Sequence, residues 1–214
     1  MAILNLVNAG FQYSGTDKWV FRHFNMTIET GEVVRVKGRN GSGKSTLLKV
    51  LSGLLKLTEG KCVIQQNNKV AYMDQFSGEM LARDLTISEQ LKAVAVNDKL
   101  TQGAPVEMLT EFGLGLQNRT DEFIGHLSGG QRQIVALLCT LLAGATILCL
   151  DEFSSSMDER SIQVADKLLL HAKTATNITF ILVSHSKTAL VPDRELDIAS
   201  ANEPLKGHEL STEG

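Results

Sequence analysis

Residues 38–46 read Gly-Arg-Asn-Gly-Ser-Gly-Lys-Ser-Thr and set the spacing G-x-x-x-x-G-K-[ST] at Gly38, Gly43, Lys44 and Ser45. Glycines let a backbone wrap inward so that its N–H groups converge on one anion. Lys44 adds a mobile cation for the outer phosphates of a triphosphate, and the Ser45 hydroxyl is suited to ligate Mg²⁺. Asn40, Gly41, Ser42 and Thr46 complete the same cradle. The flanks agree with it. Val33-Val34-Arg35-Val36 is strand-like, and Leu47-Leu48-Lys49-Val50-Leu51 has a helical pattern. A helix starting near Lys44 would aim its positive end at the bound anion. The plain alternative is a glycine-rich turn with no ligand.

A second stretch, Leu127-Ser128-Gly129-Gly130-Gln131, has the same chemistry. Two glycines and a serine hydroxyl precede a helix, which makes another anion-receptive helix start. Two such starts are hard to explain with one nucleotide and one chain.

Ile147-Leu148-Cys149-Leu150-Asp151-Glu152 is an apolar strand ending in two carboxylates. Buried parallel strands read as continuous apolar runs, and ligands gather at their C-terminal ends. Asp151 there can hold Mg²⁺, and Glu152 can polarise an attacking water. The buried run Ile178–Val183 ends at Ser184-His185-Ser186, where a histidine can donate to a terminal phosphate. Gln75, after the strand Lys69–Met73, reads on its own as a loop glutamine, or can offer a neutral amide oxygen to a metal ion or its water. Tyr13, at a polar turn, can stack on an adenine ring or serve as an ordinary strand tyrosine.

The rest of the chain supplies the frame. Residues 3–9, 24–28 and 63–64 read as short strands, with a turn at Gly60, and Leu196–Ala199 as a weak one. The helix after residue 44 is expected to reach about Leu54, and another to run from about Glu159 to Ala172. Residues 79–127 change character. Thr86 followed by Glu89 is an N-cap pattern, and Leu91, Val94 and Ala95 have helical spacing. Pro105 opens a second helix carrying Val106, Met108, Leu109 and Phe112. This reads as a helical subdomain inserted between strands.

Composition narrows the class. At 214 residues, 43% of them hydrophobic, the chain suits one large domain with a real core. A net charge of −3 argues against a general nucleic-acid binder. Cys62, Cys139 and Cys149 are odd in number and scattered, as in reduced core positions of a cytosolic protein. Ile134–Leu150 has no charged residue but falls short of a membrane span of roughly 20 apolar residues, and Gly144 breaks it. It reads as a buried helix followed by a buried strand. The N-terminus lacks the pattern of a signal peptide.

Taken together these motifs resemble the ATP-binding cassette (ABC) family of nucleotide-binding domains. Gly38–Thr46 matches its Walker A motif, Leu127–Gln131 its LSGGQ signature, and Ile147–Glu152 its Walker B motif with the catalytic glutamate. Tyr13 matches the adenine-stacking aromatic, Gln75 the Q-loop glutamine, Asp158 the D-loop aspartate and His185 the switch histidine. The match runs in family order from about residue 3 to 199. It implies an α/β fold: a P-loop NTPase core with a mainly parallel central sheet, an N-terminal antiparallel β subdomain and an inserted α-helical subdomain. The implied division is 1–78 and 128–200 as ATP-binding core, 79–127 as helical subdomain and 201–214 as polar tail.

The resemblance also implies function. Glu152, His185 and Gln75 would be catalytic, and Ser45, Gln75 and Asp151 would arrange Mg²⁺. Each ATP would lie between Walker A of one cassette and Ser128, Gly129, Gly130 and Gln131 of a second, with Asp158 coupling the two sites. The second cassette could be a copy of this chain or a paralogue. The leading expectation is a transport ATPase subunit, cytoplasmic and held at the membrane through a separate integral-membrane permease. Its alternatives are a soluble ABC ATPase that remodels a macromolecule and a nucleotide-binding module without turnover. Phe153, Met157, Arg39 and Lys37 depart from the usual family pattern.

Overall fold

The computed structural model describes residues 1–95, 115–184 and 188–198. Its centre is a five-stranded, wholly parallel sheet of β3 (Val33–Lys37), β5 (Val70–Asp74), β6 (Ile147–Asp151), β7 (Thr179–Val183) and β8 (Arg194–Asp197). The order across the sheet is β5-β6-β7-β3-β8. A second, antiparallel sheet holds β1 (Ala2–Gln12) between β2 (Trp19–Glu29) and β4 (Glu59–Ile64).

Every residue of β6 and β7 is buried, which is why Ile147–Leu150 and Phe180–Val183 read as continuous apolar runs. Alternate residues serve opposite cores. Leu148, Leu150, Phe180 and Leu182 face α2 (Ile87–Val94), α3 (Gly129–Leu142) and α4 (Glu159–Thr176). Ile147, Cys149, Ile181 and Val183 join Leu4, Phe21, Phe24 and Ile28 of the antiparallel sheet and Leu47, Leu48 and Leu51 of α1 (Lys44–Leu51). The expected architecture of parallel core, antiparallel β layer and flanking helices is present.

Several boundaries differ from the sequence reading. The first two strands span 11 residues each, because register shifts along β1 break the alternation that marks a strand. Gly60 is not a turn residue. It lies within β4 at φ +81°, where a Cβ would sit 2.2 Å from the Asn8 carbonyl oxygen. Helix α1 stops at Leu51, with Ser52 and then Gly53 at φ +79° closing it. Helix α4 continues to Thr176, where Asn177 adopts the left-handed conformation. The weak final strand is β8, shifted to Arg194–Asp197.

Within the span 79–127, α2 carries the expected capping box. Thr86 Oγ1 accepts from the Glu89 N–H, and the Glu89 carboxylate accepts from the Thr86 N–H. The second helix expected from Pro105 lies outside the described residues, as do His185 and the tail from residue 199 onward. Cys139 and Cys149 are buried and Cys62 partly so, and none is in a disulfide. Burial pushes the Cys139 thiol up to about 12. Among the described residues, no helix is long and apolar enough to cross a membrane.

Candidate active site

The phosphate loop joins β3 to α1 and takes its shape from glycines. Gly38, Gly41 and Gly43 have φ of +149°, +77° and +98°. A Cβ at Gly43 would lie 2.3 Å from Val20 Cγ1, so only glycine fits that turn. Helix α1 then starts with no side-chain cap and no acidic residue in its first turn. Its first N–H groups and its dipole are thus left for an anion. Ser42 Oγ is buried without a hydrogen-bond partner, which marks a donor awaiting a ligand. Lys44 Nζ meanwhile donates to the carbonyls of Gly38 and Arg39 at 3.0 and 3.2 Å. Asn40 and Gly41 are exposed at the loop tip. Tyr13 reaches the start of α1, its hydroxyl 2.9 Å from Thr46 Oγ1. Its ring packs edge-on against Phe11 and is half exposed.

Three strand ends meet this loop. Asp74, Asp151 and Val183 share one register level on β5, β6 and β7. Ser45 Oγ donates to Asp151 Oδ1 at 3.0 Å, and the Tyr72 hydroxyl donates to Asp151 Oδ2 at 2.8 Å. Burial, then the hydrogen bond to the Asp151 carboxylate, pushes the Tyr72 phenol well above its ordinary range. Glu152 follows at φ +49°, a left-handed conformation that a non-glycine residue adopts at a cost. Its N–H donates to Val183 O at 2.8 Å, which ties the turn to β7. Gln75 lies just past β5, but its Oε1 accepts from Ser155 Oγ at 2.6 Å. The strand-end acids and the phosphate loop are therefore gathered in one place, with Gln75 engaged by the loop that follows Glu152.

The second predicted anion site starts α3. Ser128 is its N-cap, and Gln131 closes a reciprocal capping box. Ser128 and Gly129 are exposed, and a Cβ on Gly129 would meet nothing within 4 Å. Gly130 is different. A Cβ there would lie 2.6 Å from Ser161 Oγ, because the starts of α3 and α4 pack together. Asp158 caps α4 by accepting from the Ser161 N–H and hydroxyl at 2.9 and 3.0 Å, and these bonds lower its pKa. Among the described residues, no hydrogen bond joins Ser128–Gln131 to Gly38–Thr46.

Two participants escaped the sequence reading. Tyr72 is one; the alternation along β5 held no sign that its hydroxyl would meet Asp151. Gln133 is the other, at 2% exposure. Its Oε1 accepts from Gly78 N, and its Nε2 donates to the carbonyls of Asp74 and Phe153. One amide therefore ties α3 to the turn bearing Gln75 and to the loop after Glu152. A glutamine directly before the apolar run Ile134–Cys139 was the available signal. The departures Phe153 and Met157 are both buried in the helix-side core, where they anchor that loop by apolar contact.

No group of three or more His, Cys, Asp or Glu residues suited to a metal occurs among the described residues. A hydroxyl and one carboxylate, both hard oxygen donors, are what the site offers a cation.

Comparison with known proteins gives a consistent picture. Residues 21–155 match the family model described as ABC transporter. The chain is 30% identical over 198 residues to the ergothioneine transport ATP-binding protein of Helicobacter pylori, covering 86% of this chain and 91% of that one. It is 30% identical over 167 residues to a cytochrome c biogenesis ATP-binding export protein of Aliivibrio fischeri, covering 73% and 81%. Among solved structures, the CbiO1 subunit of a CbiONQ ABC transporter complex from Clostridium perfringens superposes with a TM-score of 0.68 at 25% identity. That match covers 86% of this chain and 79% of CbiO1.

Proposed function

This chain belongs to the ABC transporter family, and from that premise we propose how its residues perform the family's work. It is the ATP-binding, ATP-hydrolysing subunit of a transporter, and it energises a separate membrane permease. The observation that carries the residue assignment is the Ser45–Asp151 hydrogen bond beneath an uncapped helix start.

In this reading the N–H groups of Gly41–Thr46 and the Lys44 ammonium hold the phosphates. Lys44 exchanges the carbonyls of Gly38 and Arg39 for them. Tyr13 stacks on the adenine. The Ser45 hydroxyl and the Asp151 carboxylate are hard oxygen donors that would hold Mg²⁺. Held there, Mg²⁺ would supply neutralisation of the charge on the phosphates. Gln75 joins them once its amide leaves Ser155. Glu152 accepts the proton of the attacking water. His185, outside the described residues, contacts the terminal phosphate in this scheme.

The exposed Ser128 and Gly129 start a helix that no nucleotide phosphate of the same chain needs. We assign them to the ATP of a second cassette packed head to tail, with Asp158 near the joint. The permease docks where Phe76, Met80 and Phe123 are exposed, at 61%, 87% and 46%. Such apolar exposure beside the Gln75 turn suits a membrane subunit's cytoplasmic helix. The division into core and helical subdomain at 79–127 belongs to the same proposal.

The test is recovery of tagged Glu152→Gln chain with Mg-ATP from gently solubilised native membranes and, separately, from cytosol. A polytopic membrane protein in the first sample is the expected result. Recovery only from cytosol, without one, would overturn the docking assignment.

A further inference from the structure

Two basic side chains on β3 take no part in the site described above. Arg35 and Lys37 are alternate residues and therefore lie on one face of the strand. A guanidinium within a parallel sheet is costly unless its donors are satisfied. Arg35 has a side chain only 24% exposed, and its Nε is buried with no hydrogen-bond partner. Glu195 approaches the Arg35 guanidinium no closer than 3.7 Å, while Lys37 pairs with the same carboxylate at 2.5 Å. Asp197 lies opposite Lys37 in the register. The arrangement leaves one cation well paired and the other short of an acceptor.

These residues border a pocket. Arg35, Lys37, Gly38, Lys44, Val183 and Ser184 surround about 320 Å³ at the C-terminal ends of β3 and β7. Liquid water occupies about 30 Å³ per molecule, so a tetrahedral oxyanion and its hydration fit easily. Lys44 is the link, because it belongs to both the phosphate loop and this pocket. A guanidinium presents a fork of N–H donors matched to phosphate oxygens.

We propose that Arg35 and Lys37 form a second oxyanion site behind the phosphate loop, which holds orthophosphate after it is split from ATP. The proposal rests on the hydrolysis reading above. In that reaction the water oxygen bonds to the terminal phosphorus, and the bond from phosphorus to the bridging oxygen breaks. ADP keeps the bonding pair, and the water's proton passes to Glu152. The freed phosphate starts beside Lys44, and the pocket gives it a neighbouring place lined by the Arg35 and Lys37 side chains.

Calorimetric titration of sodium phosphate into the ADP-loaded full chain tests this. Arg35→Gln and Lys37→Gln are compared with the wild type, and the affinity for a non-hydrolysable ATP analogue is measured alongside. Lys37 is half exposed, so its variant keeps the test usable if Arg35→Gln folds poorly. The expected result is phosphate affinity lowered about tenfold or more by losing one charge-assisted contact, with analogue affinity unchanged. Equal losses for phosphate and analogue would make these cations part of the nucleotide's own phosphate site and overturn the proposal. Unchanged phosphate affinity would leave them as edge charges and also overturn it. A wild-type chain that binds no nucleotide would overturn the ATP reading, and the proposal with it.

Discussion

Ser45 Oγ donates to Asp151 Oδ1 at 3.0 Å, joining residues 106 positions apart. Tyr72 claims the other oxygen of the same carboxylate at 2.8 Å. With both oxygens engaged, the carboxylate plane is set by the fold before any ligand arrives. In the proposed Mg²⁺ site Tyr72 then stands behind Asp151, and such partners are how metal sites keep their geometry.

Tyr72→Phe should therefore loosen Asp151 without emptying the site. The lost hydrogen bond is worth about 1 kcal/mol of stability. The Mg²⁺ concentration needed for half-maximal nucleotide binding should rise by roughly fivefold, the equivalent of about that energy. A Mg²⁺ titration of nucleotide binding, with a thermal melt beside it, reads both. An unchanged Mg²⁺ requirement would contradict the positioning role.

Tyr72 also predicts alkaline behaviour. Its phenol is raised by burial and by the Asp151 carboxylate, so the folded chain keeps the proton where the unfolded chain loses it. The raised group contributes stability that is complete below about pH 10, the ordinary phenol value, and is lost as pH rises further. Tyrosinate absorbance of the native chain should show one of its two tyrosines resisting ionisation above that value. Ionisation of Tyr72 near pH 10 in the folded chain, followed in a Tyr13→Phe background, would count against the Tyr72–Asp151 bond.

Gln133 offers a sharper experiment than simple deletion. Glutamate keeps an acceptor for Gly78 N, but when ionised it cannot donate to the Asp74 and Phe153 carbonyls. Gln133→Glu should lose about 2–3 kcal/mol at neutral pH, as a buried carboxylate with Gly78 N for a donor and two carbonyl oxygens facing its other oxygen. It should regain part of that as pH falls and the carboxyl acquires a proton to donate. Gln133→Met should show no such recovery. Parallel pH dependence of the two melting temperatures would argue against the donor role.

The two signature glycines should behave differently. Gly130→Ala places a methyl group 2.6 Å from Ser161 Oγ and should destabilise the chain by about 1–3 kcal/mol through overpacking. Gly129→Ala meets nothing and should leave the melting temperature nearly unchanged. In the proposed head-to-tail pairing, its effect should fall on ATP-dependent association of cassettes, read by light scattering. A stability loss at Gly129 equal to that at Gly130 would show that both glycines are only packing positions.

Much of this was legible in the sequence because local chemistry repeats the global design. The turn at Gly38–Ser45, the apolar runs within β6 and β7, the cap at Thr86 and the helix start after Ser128 each announce themselves within a few residues. What stayed hidden depends on partners far along the chain. The register that sets Tyr72 beside Cys149, and so its hydroxyl near Asp151, is a property of the sheet. Gly60 reads as a turn until Asn8 is found against it. Glu152 reads as a strand-end acid but not as a left-handed residue, whose N–H is tied to Val183.

The most direct measurement is steady-state phosphate release from Mg-ATP by the purified chain and by its Glu152→Gln variant, with ATP binding measured on both. Equal binding with turnover reduced by about 100-fold or more, the ordinary contribution of a general base, is the predicted result. A variant that binds ATP and turns it over at the wild-type rate would contradict Glu152 as the base, and with it the account of the site.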